Sequence, residues 1–282
     1  MKALNIFLKL SLLSVVFLAC TKKENKVFFE GSTPPVLTST ASGTIVLEKD
    51  KKEEVALVLS WTNPNYMFNT GVSSQNVYYI VQIDTAGKNF TSPKLQEMSI
   101  ASDLSVSLSV QELNVFLSKM EFTPGVEQSI DIRIKATLLN GTVPTYSNTL
   151  TLKVNPYLDF AVEPPGTPDN NYEDGELWGV GDAFASGWSN PLPSPYDVTQ
   201  RFTRIDIMHY ELVVEMAGGG AYKIIQKQGD WSTQYHALDG GTWEGGAFEK
   251  RDADPGFPGA PTAGTYKITI NFQTGRYAVV RQ

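Results

Sequence analysis

The sequence predicts an all-β protein made of two β-sandwiches in series, the first of them immunoglobulin-like. Three observations predict it. Apolar residues recur with period 2 in short segments separated by turn residues. The composition is rich in Gly, Pro, Thr, Val and aromatic residues. A Pro-rich stretch without periodicity divides the chain past its middle.

The chain opens with Lys2 and Lys9 around an apolar run, Ile6 to Ala19, that ends at Ala19-Cys20. A transmembrane helix wants about 20 apolar residues, so the shorter run reads as a signal peptide over residues 1–19. A small residue followed by cysteine is the arrangement that lipoprotein signal peptidase needs: Ala19 fits a shallow subsite, and the Cys20 thiol takes the diacylglycerol. The competing reading is an ordinary secretion signal with an unmodified cysteine. Cys20 is the only cysteine, so no intrachain disulfide forms and burial of apolar surface has to hold the fold. Residues 20–33 begin as a polar, aperiodic run and read as a solvated tether.

Removing residues 1–19 takes away Lys2 and Lys9 and no acid. That leaves 21 basic against 30 acidic residues, a charge of −9. Nucleic acid and anionic head groups call for basic patches, so uncharged or polar ligands fit better. The roughly 250 mature residues suit one large domain or two ordinary ones.

The first sandwich is expected over 34–156. Val55, Leu57, Leu59 and Trp61 alternate with Ala56, Val58 and Ser60, and Asn63-Pro64-Asn65 ends that strand. Further strands are expected at Val77 to Ile83, Ile130 to Ala136 and Leu150 to Val154. Ser109 stands three residues before Glu112 as a capping box, with Leu113, Phe116 and Leu117 on one face of a helix of about two turns. Trp61, on the inward face of its strand, reads as core.

Residues 157–173, with Glu163-Pro164-Pro165-Gly166-Thr167-Pro168, read as a linker. The second sandwich is expected over 174–282. It opens with Leu177-Trp178-Gly179-Val180-Gly181. The alternating Tyr210 to Met216, the Gly218-Gly219-Gly220 turn and Tyr222 to Ile225 read as a β-hairpin. Tyr266 to Phe272, the turn Gln273-Thr274-Gly275 and Arg276 to Val280 form a final one. Gly240 to Pro261, dense in Gly, Pro and Asp, reads as a long loop.

These phrases resemble the SusE and SusF family, glycan-binding outer-membrane lipoproteins of Bacteroidetes starch-utilisation-type systems. In the first half the resemblance rests on Leu59-Ser60-Trp61, Tyr79 to Asp84 with Gly87 and Phe90, Glu112-Leu113-Asn114, Ile132 to Ala136 and Tyr146-Ser147-Asn148. In the second it rests on Leu177 to Ala183 with Gly187-Trp188, Gly264 to Ile268 with Asn271, and Thr274 to Tyr277. The resemblance implies an outer-membrane lipoprotein, lipid-anchored at the cell surface. It further implies a carbohydrate-binding-like second sandwich, a glycan as ligand and an outer-membrane transporter complex as partner. Family members can carry tandem binding modules, whereas this chain has room for one, so avidity between modules is lost. An alternative is a structural docking subunit of such a complex that binds no glycan.

A glycan site needs flat aromatic platforms flanked by hydrogen-bonding side chains, and four of the five tryptophans lie in the second half. Trp178 sits in an apolar strand and reads as core. Trp188 follows a glycine turn, where a ring is harder to bury. Trp231 lies in Gln226-Lys227-Gln228-Gly229-Asp230-Trp231-Ser232-Thr233-Gln234-Tyr235, which mixes aromatics with amides, a cation and hydroxyls. Each of these two rings is read either as platform or as core. The candidate contacts are Trp188 and Trp231 as platforms, Lys227 and Asp230 as rim groups, and Tyr235 and Trp243 as lesser members.

Two histidines, His209 and His236, lie in different segments and offer neither a metal cluster nor a Ser-His-Asp set. One sandwich of roughly 110 residues leaves little room for a catalytic cleft with subsites. Asp252-Ala253-Asp254 lacks the glycine and distal glutamate of a calcium loop. Asp230, Asp239, Glu244, Glu249, Asp252 and Asp254 could in principle supply the carboxylate pair of a small glycosidase, which stays open as a third reading, but no enzyme activity, cofactor or metal is expected.

Overall fold

Apolar side chains at alternate positions turn the first half into strands. These are β1 (Phe29–Gly31), β2 (Leu37–Ser39), β3 (Thr44–Val46), β4 (Val55–Trp61), β5 (Met67–Phe68), β6 (Gly71–Val72), β7 (Tyr78–Thr85), β8 (Gln96–Ala101), β9 (Ser105–Ser109), β10 (Gln128–Thr137), β11 (Thr145–Tyr146) and β12 (Leu150–Asn155), with an α-helix, α1 (Val110–Lys119), and two short 3-10 turns. The structure, a computed structural model, describes residues 26–170 and 175–282. The expected signal peptide, the lipidation residue Cys20 and the start of the tether lie outside the described residues.

One sheet runs β3-β12-β10-β7-β8 with β11 beside β10, and a second runs β2-β4-β9. Leu57, Leu59 and Trp61 of β4 share a core with Val81 and Ile83 of β7 and with Ile130, Ile132 and Ile134 of β10. Two sheets enclosing one apolar layer make a sandwich. The cross-strand register Ile132 to Ile83 and Ile134 to Val81 keeps those side chains on one face. The capping box forms as read: the Glu112 amide donates to Ser109 Oγ at 3.2 Å and the Ser109 amide to Glu112 Oε2 at 2.8 Å. Leu113 and Leu117 of the helix reach the same core. A small third sheet, β1-β5-β6, stands apart.

The second half holds β13 (Trp178–Val180), α2 (Tyr196–Thr199), β14 (Thr203–Arg204), β15 (His209–Met216), β16 (Ala221–Ile225), β17 (Tyr235–Ala237), β18 (Gly245–Lys250), β19 (Phe257–Pro258), β20 (Gly264–Asn271) and β21 (Arg276–Arg281). They form one sheet in the order β13-β16-β17-β18-β21-β20-β15-β14, with β19 on β16. Its ends meet, since the Gly179 amide donates to Gln200 O at 3.0 Å and the Phe202 amide to Leu177 O at 2.9 Å. The sandwich is thus one sheet rolled around one main core, an arrangement that covers its own edges.

Three readings from sequence are corrected or qualified. β15 and β16 are not a hairpin: β15 pairs with β14 and β20, and β16 pairs with β13, β17 and β19. Both strands bury side chains in the same core, so the chain crosses over that core between them. The three glycines serve the crossing. All have positive φ, and Gly220 packs so tightly that a Cβ would lie 2.8 Å from the Ala183 amide nitrogen. Gly240 to Pro261 is not a long loop, because β18 and β19 lie within it. Its glycines allow close approach rather than irregularity: a Cβ on Gly245 would stand 2.8 Å from Tyr277 O. The stretch read as a linker packs down instead of standing free. Phe160 and Val162 lie against the second core, and the Val162 amide donates to Phe272 O at 3.2 Å.

Candidate functional site

β13 and β16 carry a second, small apolar cluster of Trp178, Val180, Leu192 and Ile225. Tyr196 and Trp231 pack partly buried against it. Trp178 is core, as read, and its indole donates to Asp197 O at 2.9 Å. Strand β16 serves both clusters because Ile224 points to the main core and Ile225 to this one.

Two loops meet over the cluster. Gly187, at φ 59°, makes the tight turn before Trp188, and the Gly181 amide donates to Gly187 O at 3.1 Å. Asn190 Oδ1 accepts from the Gly229 amide at 2.6 Å, and Gln228 Oε1 accepts from the Leu192 amide at 2.8 Å. These reciprocal bonds fix the Trp188 loop to the Trp231 loop. The two rings stand 6.4 Å apart at 48°. Trp188 is 45% exposed, whereas Trp231 is braced by the cluster below. A ring that is open on one side and held on the other is what stacking on a sugar face requires.

Of the other candidate residues, Lys227 and Asp230 lie on the Trp231 loop. Lys227 is exposed. Asp230 Oδ1 accepts from the Ser232 amide at 2.9 Å and from Ser232 Oγ at 2.7 Å. Those bonds, with the charge of Lys227, hold its carboxyl below the usual aspartate range. The carboxylate stays ionised and can accept from a hydroxyl.

Tyr235 does not join them. Its ring is buried edge-on to Phe248 and Phe272 at 5.9 and 5.2 Å. Its hydroxyl donates to Glu163 O at 2.9 Å and accepts from Asn170 Nδ2 at 3.0 Å. Burial pushes that hydroxyl's pKa well above the ordinary value. Trp243 sits elsewhere, half-buried and edge-on to Tyr266 at 5.9 Å. The structure therefore brings the rings of Trp188 and Trp231 together, carries Lys227 and Asp230 on the Trp231 loop, and places Tyr235 and Trp243 elsewhere. Sequence reasoning missed Asn190 and Gln228, the amides that lock the loops together. Their only signal was a place beside turn residues.

A cleft of about 870 Å³ lies between Lys119 and Glu121 and the strand residues Glu211, Thr269, Asn271 and Arg276. Its two tyrosines, Tyr210 and Tyr277, are buried in the core, so it offers no stacking surface. His209 bonds Asp206 at 2.9 Å, while buried His236 lies 3.0 Å from Glu249 Oε1. Asp254 pairs with Lys223 at 2.9 Å, and Asp252 accepts from Gln234 Nε2. Among the described residues no group of three or more His, Cys, Asp or Glu side chains could hold a metal ion.

Residues 22–135 match the family described as SusE outer membrane protein. The resemblance read from the sequence is borne out over that stretch. Two solved structures align over most of the chain. The chicken CNTN1 FN1-FN3 domains are 11% identical, with 90% of this chain and 70% of that one covered at a TM-score of 0.23. The native alfa-L-rhamnosidase from Aspergillus terreus is 12% identical, with 91% of this chain and 29% of that one covered at a TM-score of 0.20. No curated protein matches the chain.

Proposed function

We propose, for a chain that is of SusE type over residues 22–135, that it is an outer-membrane lipoprotein, anchored through Cys20 at the cell surface, that binds glycan beside a transporter complex. The paired rings of Trp188 and Trp231 carry the reading. Two planes at an angle suit consecutive residues of an oligosaccharide better than a single flat ring, and Lys227 and Asp230 supply a donor and an acceptor for the hydroxyl rim. So few stacking groups imply an affinity of about micromolar to millimolar.

Affinity electrophoresis of the mature chain through gels containing a panel of polysaccharides tests this. At least one polysaccharide is expected to retard the wild type, and Trp188→Ala and Trp231→Ala are each expected to abolish the retardation. Absence of retardation by the whole panel, or retardation that survives both substitutions, would overturn it. The chain would then fit the docking-subunit reading.

A further inference from the structure

We infer that the cleft of about 870 Å³ between α1 and the second sandwich is a binding site of its own, for acidic saccharides whose rings carry carboxylates. Its floor is the outer face of the sheet. Arg276 of β21 lies opposite Ala247 of β18 on one side and Asn271 of β20 on the other, and Asn271 lies opposite His209 of β15. Ala278, Thr269 and Glu211 form the next row on the same face. The residues between the rows, Tyr277, Ile270 and Tyr210, turn into the core, as strand alternation requires. Alanine and threonine side chains keep the middle of the floor low. Three strand spacings from Ala247 to His209 make it about 14 Å broad.

Lys119, the last residue of α1, and Glu121 form the opposite wall. A buried bond ties wall to floor, because Gln273 Nε2 donates to Phe122 O at 2.9 Å. Phe122 follows Glu121 and Gln273 precedes Thr274, so this bond sets the width of the cleft.

Charge selects the ligand. The acids in and beside the cleft are each engaged by groups other than Lys119 and Arg276. Of those that line it, Glu121 pairs with Lys94 and Glu211 with Lys267. At its margins Asp159 pairs with Lys49 and Glu249 with Arg251, and Asp206 accepts from the Met208 and His209 amides and lies 2.9 Å from the His209 ring. Among the described residues the side chains of Lys119 and Arg276 have no partner. The cleft thus keeps two cations for a ligand although the whole chain is acidic, and both form charge-assisted bonds with carboxylates. Between them the floor offers groups for hydroxyls. Asn271 Oδ1 accepts from the Thr274 amide at 3.0 Å, which orients the side chain and leaves Nδ2 without a partner among the described residues. The Thr269 hydroxyl, which donates to Ala278 O at 3.3 Å, can still accept. A neutral sugar would want a ring to stack on, and both tyrosines of the lining are buried.

Isothermal titration calorimetry of the mature chain at low ionic strength tests this with oligomers of galacturonate, of glucuronate, and of mannuronate and guluronate. Each is compared with its methyl ester, which keeps the rings and removes the charge. At least one acid is expected to bind, and esterification, Lys119→Gln and Arg276→Gln are each expected to weaken binding about tenfold. Both substituted side chains are exposed, so their urea midpoints should match the wild type, which separates lost binding from lost fold. No binding by any acid, equal binding by its ester, or binding untouched by both substitutions would overturn the inference. Equal binding by a poly-glutamate peptide would also overturn it, since charge alone would then suffice. Trp188→Ala should leave this binding intact, so the cleft and the tryptophan surface can fail separately. Loss of binding in that variant would place the acid on the tryptophans and reject the cleft.

Discussion

Tyr235 and Trp188 show how one residue type, an aromatic among polar neighbours, resolves in opposite ways. Both stand among amides and hydroxyls, and only the glycine turn before Trp188 separates them in the sequence. Tyr235 is drawn inward because all three residues of β17 are buried. The rolled sheet covers one face, and residues 163–170 contribute cover to the other through Glu163 O and Asn170 Nδ2. Tyr235→Phe should cost about 1–2 kcal/mol in urea unfolding, since it leaves Asn170 and the Glu163 carbonyl each one partner short in a buried place. Glycan retardation should stay unchanged, because the hydroxyl faces the strap and not the surface proposed to bind glycan. Trp61 and Trp178 were legible as core because each sits in an alternating or apolar strand. Exposure of Trp188 followed from the glycine before it.

At the scale of elements, strands whose partners lie next in sequence were legible and strands that cross the core were not. The β20-β21 hairpin forms where Gln273-Thr274-Gly275 places it. Period 2 fixes which face of a strand is buried but not which strand it pairs with, so β15 and β16 could be read as partners although they meet only across the core. Glycine and proline density likewise hid β18 and β19, since close backbone approach and irregular loops call for the same residues. The segment between β18 and β19 depends on a pair the sequence did not reveal. Buried Lys223 of β16 reaches Asp254 and the Ala253 carbonyl. The Lys223 hydrogen bond and charge lower the Asp254 pKa. A carboxyl depressed in the folded state stabilises above its unfolded value, about 3.9, and that contribution is lost as pH falls through the lower folded value. NMR titration of the Asp254 carboxyl carbon should give a midpoint below the ordinary aspartate range. In Lys223→Met the midpoint should return to that range, and Asp254 should stop contributing any pH dependence to the loop.

Among the described residues the two main cores share no residue, and they are joined by a strap that sequence composition presented as a linker. At one end Asn114 of α1 holds it, donating to Tyr157 O at 3.2 Å and accepting from the Tyr157 amide at 3.0 Å. At the other end the Ala161 and Val162 amides donate to Phe272 O at 3.1 and 3.2 Å. Proline and glycine density reveals that a segment lacks regular structure, but not whether its backbone finds partners nearby. A third contact spans the units directly: Gln273 Nε2, in the β20-β21 turn, donates to Phe122 O at 2.9 Å in a buried place. Relative motion is the default for domains joined by a modest polar interface, so this bond should decide whether the units tumble together. In ¹⁵N relaxation of the mature chain the two units should share one rotational correlation time. In Gln273→Ala the two values should separate, with each unit's own amide chemical shifts kept away from Phe122 and residue 273. A common correlation time in the variant would mean that the strap at 157–162 suffices to hold the halves as one body.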